Sequence, residues 1–290
     1  MQIKVENLTY VYSEKAKDLA VKALDDVSLL IEEGDFFGVI GKTGSGKSTF
    51  IQHLNGLIKI GKNKGKILIG EYDLSQKDCD FNGLRAKLGM VFQYPEYQLF
   101  AETVFEDVAF GLRNFYKDLS DSEIIERVKS ALETVGLDYE KYKDRSPFEL
   151  SGGQKRRVAI AGVIVTRPEV LVLDEPLAGL DPKGKRELTD LLKRLHASFV
   201  KTVVIVSHDM DFVAENCNKI AVFSDGKIVK AGTPKQVFSD QYEMEELGLE
   251  MPLTAYLTQE LKKKNLYLDS DLTVKDFCKE YALKKGGNNW

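Results

Sequence analysis

Nine residues read as Gly41-Lys42-Thr43-Gly44-Ser45-Gly46-Lys47-Ser48-Thr49. The first eight match the phosphate-loop pattern GxxxxGK[ST]. Glycines let a backbone wrap closely around a polyphosphate, turning successive N–H groups and a helix N-terminus toward its negative charge. Lys47 then reaches the β- and γ-phosphates, and the Ser48 hydroxyl is a hard oxygen ligand suited to Mg²⁺. The competing reading is a glycine-rich turn with an exposed lysine. The apolar run before Gly41 and the helix-like stretch Thr49 to Leu57 supply the context that a phosphate loop requires.

Two further clusters carry chemistry. Val170-Leu171-Val172-Leu173-Asp174-Glu175 is a buried-strand pattern ending in two carboxylates. Asp174 suits a Mg²⁺ shell and Glu175 suits polarising an attacking water, although an acidic pair at a helix N-terminus is the default without a phosphate loop. Leu150-Ser151-Gly152-Gly153-Gln154 opens a helical pattern. Ser151 and Gln154 have the spacing of a capping box. Capping does not account for Gly152 and Gly153, because glycine weakens a helix unless a phosphate must approach the exposed amides.

These residues need elements to hold them. Short β-branched or aromatic runs recur at Phe36 to Ile40, Leu88 to Phe92, Val170 to Leu173, Thr202 to Val206 and Ile220 to Phe223, mostly separated by helical patterns. That alternation predicts an α/β fold with a parallel sheet whose carboxyl ends collect ligands, placing Gly41, Asp174 and Ser207 on one edge. The first 35 residues and the 60s read instead as antiparallel strands, and Gln98 to Thr166 as helices. Asp225-Gly226 suits a tight turn before a strand over Lys227 to Ala231. Behind Pro252, Leu253, Tyr256, Leu257 and Leu261 share a helix face, and Val274, Phe277 and Tyr281 mark a second short helix. This tail either packs on the core or docks a partner.

Composition bounds the class. The 290 residues are 43% hydrophobic and 30% charged, enough for one large core or two modest ones. No apolar stretch approaches the ~20 residues of a membrane-spanning helix. The start Ile3-Lys4-Val5 lacks the pattern of a secretory signal, so a cytosolic location is expected. Cys79, Cys217 and Cys278 lie far apart without a CxxC pair, as free thiols do. A net charge of −4 gives no global field toward nucleic acid or anionic lipid. Lys59, Lys62, Lys64 and Lys66, interleaved with Gly61 and Gly65, read as a solvated hairpin loop.

With the phosphate loop, Asp174-Glu175 and Leu150 to Gln154 in place, the sequence resembles the ATP-binding-cassette ATPases from Met1 to about Phe238. The resemblance implies Gln93 as a glutamine that senses Mg²⁺ and the transport domain. It implies Asp181, in Ala178-Gly179-Leu180-Asp181, as an inter-subunit loop, and His208 as a γ-phosphate switch. Tyr12 resembles the aromatic on which the family stacks adenine, with Tyr10 on the same strand face as its competitor. It also implies a head-to-tail cassette pair. Each ATP then sits between one chain's phosphate loop and the other's signature residues Ser151, Gly152, Gly153 and Gln154.

Val91-Phe92-Gln93-Tyr94-Pro95-Glu96-Tyr97-Gln98-Leu99-Phe100, Gln154 to Gly162 and Gln52-His53-Leu54-Asn55-Gly56-Leu57 resemble the energy-coupling-factor and cobalt/nickel importer ATPases, the second of the two paired types. This implies an ATP- and Mg²⁺-dependent subunit driving uptake of vitamins or transition-metal ions from the cytoplasmic face of the membrane. The implied partners are a related ATPase, as heterodimer or homodimer, a membrane coupling subunit and a separate substrate-binding subunit, with no nucleic acid. Leu99, Phe100 and Phe105 form part of a groove for cytoplasmic helices or belong to the helical core. The expected architecture is a P-loop core over residues 1–238 with a helical insertion at about 98–166, followed by a helical extension over 239–290 with a dimerisation role. A cytosolic cassette for ribosome or DNA work and a phosphoryl-transfer enzyme are the alternatives. The first lacks its usual coiled-coil insertion or second cassette here, and the second has no need of Ser151 to Gln154.

Overall fold

The computed structural model describes residues 1–12, 20–268 and 272–285. Its first half comprises β1 (Ile3–Tyr12), β2 (Val21–Ile31), β3 (Phe36–Gly41), α1 (Lys47–Leu54), β4 (Lys66–Ile69), β5 (Tyr72–Asp73), α2 (Phe81–Lys87) and β6 (Leu88–Val91). A helical layer follows, with α3 (Val104–Phe115), α4 (Asp121–Thr134), α5 (Tyr139–Tyr142) and α6 (Gly152–Ile164). The chain then returns through β7 (Val170–Asp174), α7 (Pro182–His196), β8 (Thr202–Val206), α8 (Met210–Asn216), β9 (Lys219–Ser224) and β10 (Lys227–Gly232). The tail holds α9 (Pro234–Val237), α10 (Gln241–Glu246), α11 (Leu253–Lys263) and α12 (Val274–Lys284).

Apolar β-branched runs buried on both faces form the central sheet, in the order β10-β9-β3-β8-β7-β6. All neighbours are parallel except β10, which returns from β9 through the tight turn at Asp225-Gly226. Pleating divides each strand between two cores. Phe37 and Val39, Val170 and Val172, Val204 and Val206 face α1 and the antiparallel sheet β2-β1-β4-β5. Phe36 and Ile40, Leu171 and Leu173, Val203 and Ile205 face the helices. The expected α/β core, antiparallel subdomain and helical insertion are therefore all present.

Two expectations need correction, and the open choice for the tail is narrowed. The first helix starts inside the phosphate loop, at Lys47, and ends at Leu54 rather than running from Thr49 to Leu57, because Gly56 turns into the left-handed region at φ 63°. The lysine-rich stretch Lys59 to Gly65 joins α1 to β4 and so is not a hairpin. In the tail, the predicted stripe is not what meets the core. α11 buries Thr254 and Ala255, while Leu253 and Tyr256 are 55% and 41% exposed. Met244, Leu249, Ala255 and Leu272 make the core contact, and α12 buries no residue. Stripe periodicity identifies a helix face, but not which neighbour covers it.

Packing therefore separates two leucines that look alike in sequence. Leu192→Ala, in the fully buried face of α7, should lower unfolding free energy by about 2–5 kcal/mol. Leu253→Ala should change it by less than ~0.5 kcal/mol in the same urea titration. Comparable losses for the two would contradict this packing.

Candidate active site

The register β3–β8–β7 sets Val39 beside Val206 and Val206 beside Asp174. The three chains thus leave the sheet together, at Gly41, Ser207 and Asp174. The loop after Gly41 is held by geometry that only glycine permits at two points. A Cβ on Gly41 would lie 2.2 Å from the Phe223 carbonyl oxygen, and one on Gly46 would lie 2.4 Å from that of Ala23. Gly46 caps α1 at φ 104°, so the first helical amides open directly onto the loop.

Lys47 is buried and its Nζ donates to the carbonyls of Gly41 at 2.6 Å and Lys42 at 2.8 Å. Burial lowers its pKa, and the nearby carboxylates of Glu175 and Asp174 oppose that fall. Asp174 is raised by burial and held down in part by a hydrogen bond from the Ser48 hydroxyl. Glu175 sits at φ 47°, a strained conformation for a non-glycine residue, with its N–H donating to the Val206 carbonyl at 3.0 Å. Its Oε2 accepts from the main-chain N–H of His208 at 3.2 Å. Oε1 lies 3.1 Å from His208 Nε2 but outside hydrogen-bond geometry, so it remains buried without a partner. Burial pushes the Glu175 carboxyl up to about 7. Burial, then Lys47, lowers the His208 pKa, so the contact joins a carboxyl to a neutral imidazole.

This edge brings together Lys47, Ser48, Asp174, Glu175 and His208. A carboxyl poised near neutrality is suited to general-base work, and a buried ammonium above a glycine loop is suited to phosphate charge. Gln93 is exposed just beyond β6, on the same edge. Tyr12 hydrogen-bonds through its hydroxyl to Thr49 Oγ1 at 3.2 Å and keeps 40% of its surface exposed. Tyr10 turns inward, its ring 4.9 Å from that of buried His53. The two rings meet edge-to-face at 4.8 Å, and Tyr12 is the more exposed of the pair.

Other expected site residues stand apart. Ser151 and Gln154 form the anticipated capping box, with Ser151 N–H donating to Gln154 Oε1 at 3.0 Å. Apart from chain neighbours and the helix's own backbone, no described residue lies within 4 Å of a Cβ built on Gly152 or Gly153, so packing among the described residues does not require these glycines. Asp181 caps α7 by accepting from Gly184 N–H at 2.7 Å. Of the three apolar groove candidates, Phe100 is exposed, Leu99 is buried at a groove of about 260 Å³, and Phe105 packs on the helical core. Sequence reasoning overlooked the Lys185 Nζ bond to Asp209 at 2.7 Å, which ties α7 to the residue after His208. It assigned Arg156 no role, because nothing in the polar run Gln154-Lys155-Arg156-Arg157 marks which of its cations is buried.

A phosphate loop at the end of one parallel strand, a buried carboxylate pair two strands away and a capped glycine helix from an inserted layer define an ATP-binding cassette. The ABC transporter family model matches residues 24–178. The energy-coupling factor transporter ATP-binding protein EcfA2 of Clostridium tetani is 49% identical over 98% of this chain and 97% of its own. Its counterpart in Clostridium perfringens is 45% identical over 100% of both. Among solved structures, cbiO1 of Clostridium perfringens, part of the ABC transporter complex cbiONQ, superposes with a TM-score of 0.71 at 39% identity. It covers 89% of this chain and 98% of that one. A dimeric ATP-binding cassette in a post-hydrolysis state with ADP and Pi gives 0.70 at 31% identity, covering 80% and 98%. The chain belongs to the ABC transporter ATPases, within the energy-coupling factor ATP-binding subunits, and it binds and hydrolyses ATP. The relatives extend through the tail and favour this reading over a ribosome- or DNA-associated cassette.

The raised Glu175 carboxyl has a consequence for stability. Its folded pKa of about 7 lies above the ordinary 4.5, so the native state retains a proton that the unfolded chain has lost between those values. Stability from this group is present below pH 4.5 and lost as pH rises to 7. Glu175→Gln should therefore melt higher than the parent above pH 7, by at most about 3 kcal/mol at 1.36 kcal/mol per pKa unit. The advantage should shrink to nothing near pH 4. A difference independent of pH would contradict the assignment.

Proposed function

We propose that this chain powers a membrane importer of the energy-coupling factor type, taking up vitamins or transition-metal ions, through a site that two cassettes share. The observation that carries this reading is the split in the chain. One edge gathers a phosphate loop, two carboxylates and a histidine, while Gly152 and Gly153 open a helix onto space that no described residue fills. Exposed glycine amides at a capped helix start are an anion site waiting for a ligand. In a head-to-tail pair, Ser151 to Gln154 would meet ATP held on the partner's phosphate loop, and Asp181 would lie at the seam.

The steps on this chain follow from its geometry. The loop from Gly41 to Thr49 wraps the polyphosphate and Tyr12 offers its ring to adenine. Lys47 exchanges the carbonyls of Gly41 and Lys42 for phosphate oxygens. Glu175 orients the attacking water and accepts its proton, and His208 contacts the γ-phosphate beside it. The donor set Ser48 hydroxyl, Asp174 carboxylate and Gln93 amide oxygen fits a hard cation, and Ser48 already bonds to Asp174. Mg²⁺ bound there would neutralise charge on the phosphate oxygens.

The partners follow the same reasoning. No described helix is long and apolar enough to cross a membrane, so cargo passage falls to other subunits and this chain acts as a peripheral subunit on the cytoplasmic face. Phe100 and Phe110, exposed with ring centroids 4.8 Å apart beside Leu99, form the groove for a cytoplasmic helix of the membrane coupling subunit. Cargo choice belongs to a separate substrate-binding subunit. The outward face of the tail, with Leu253, Tyr256, Val274 and Leu283 exposed, contributes to pairing with a related, non-identical ATPase.

Glu175→Gln chain purified from its native membranes should bring down a membrane protein and a second ATPase. It should bind ATP normally and hydrolyse it about 10² to 10⁴ more slowly, as for a lost general base. Recovery of ribosomes without a membrane protein, or near-normal turnover, would overturn the proposal.

A further inference from the structure

Arg156, on the second turn of α6, is only 6% exposed. Burying a guanidinium is costly unless its five N–H groups find acceptors. Here Nη1 donates to the Ala178 carbonyl at 3.0 Å. Nε and Nη2 are buried without a partner. Glu96, in the short 3₁₀ turn Pro95–Gln98 that follows Gln93, likewise has a buried Oε2 without a partner. Its charge acts on the Arg156 guanidinium and opposes the fall in pKa that burial imposes. Two half-satisfied, opposite charges therefore face one interior region from different elements. Ala178 lies in the loop that leads to Asp181.

The surroundings show why such a contact matters. A cleft of about 1180 Å³ separates α4 and α6 from α7. Apolar side chains of α6 and α7 line that space and join one core without closing it, so the polar contacts at its rim add direction to that packing. Two arginine bonds span its rim: Arg156 to Ala178, and Arg157 Nη2 to Glu187 at 2.6 Å. The second pair is solvent-exposed and correspondingly weak. The first is buried and directional.

We infer that Arg156 is a positioning residue for ATP hydrolysis, joining three segments. One fork nitrogen holds the Ala178–Asp181 loop to the signature helix, and the two free nitrogens take the Glu96 carboxylate, which ties in the segment after Gln93. Arg156 touches no reacting atom. It sets the placement of Asp181 and Gln93 relative to Ser151-Gly152-Gly153, so that the segments move as one when nucleotide is bound. A lysine cannot replace it, because one ammonium cannot hold a carbonyl and a carboxylate in this planar fork.

The test uses the full chain in its assembled ATPase complex, with Arg156→Met, Glu96→Gln and the double variant. Arg156→Met should lower kcat about tenfold to a hundredfold, the scale of a misplaced catalytic assembly, while KM for ATP stays within about twofold. Its thermal midpoint should fall only slightly, because one half-paired buried charge is removed while the Glu96 carboxylate loses its opposite charge, so turnover is counted per folded molecule. Glu96→Gln should reduce kcat similarly with KM preserved, and the double variant should be no worse than Arg156→Met alone. A merely structural role would lower the midpoint and the fraction folded while leaving turnover per folded molecule intact. That result, full kcat in Arg156→Met, or additive losses in the double variant, would overturn the inference.

Discussion

Everything at the active edge depends on holding one ammonium and two carboxylates in a largely buried setting. Lys47 and the two carboxylates act on one another's protonation, and the Glu175 Oε1 is buried with no partner among the described residues. Such an arrangement is expensive unless the frame is rigid and a charged ligand completes it. The parallel register of β3, β8 and β7 supplies the frame, fixing Gly41, Ser207 and Asp174 side by side. On the proposed reading, ATP would complete the site: its phosphates would give Lys47 an anionic partner, and the attacking water would give Glu175 a proton to accept. A carboxyl near pKa 7 is thus both a stability cost and a functional asset.

The same logic extends outward from the sheet. The strained Glu175 backbone persists because its N–H is tied to β8 and its carboxyl to the His208 amide, so β8, Glu175 and His208 form one unit. Lys185 links that unit to α7 through Asp209, and Arg156 links α7's leading loop to the signature helix. In each case a directional polar bond runs alongside the apolar core that these elements share. Cores flanking the sheet keep the phosphate edge still. The cleft between α4, α6 and α7 leaves open space on one side of the helical layer.

Much of this was legible in the sequence, for physical reasons. Fully buried strands betray themselves as unbroken β-branched runs, so Val170 to Leu173 and Thr202 to Val206 were placed within a residue. The phosphate loop and the Ser151 capping box are local, and their spacing alone determines them. Non-local facts were not legible. Whether Leu253 faces the core or solvent depends on what α10 and α8 occupy, and Asp211 accepts from the Leu253 N–H while Ala255 meets the core. Tyr10 and Tyr12 share a strand face, and only the position of His53 shows that Tyr10 turns inward. Glu96 and Arg156 lie sixty residues apart, and no periodicity could bring them together.

The central claim is that this chain supplies half of two sites, its phosphate loop to one ATP and its signature helix to another. Gly153→Asp places a carboxylate where Gly152 and Gly153 now leave open space, without touching the phosphate loop. In the assembled complex, labelled ATP should still bind this chain's own loop with unchanged affinity, while hydrolysis at the partner's loop is lost. Undiminished hydrolysis at the partner's loop, or loss of nucleotide binding confined to this chain's own loop, would contradict the account.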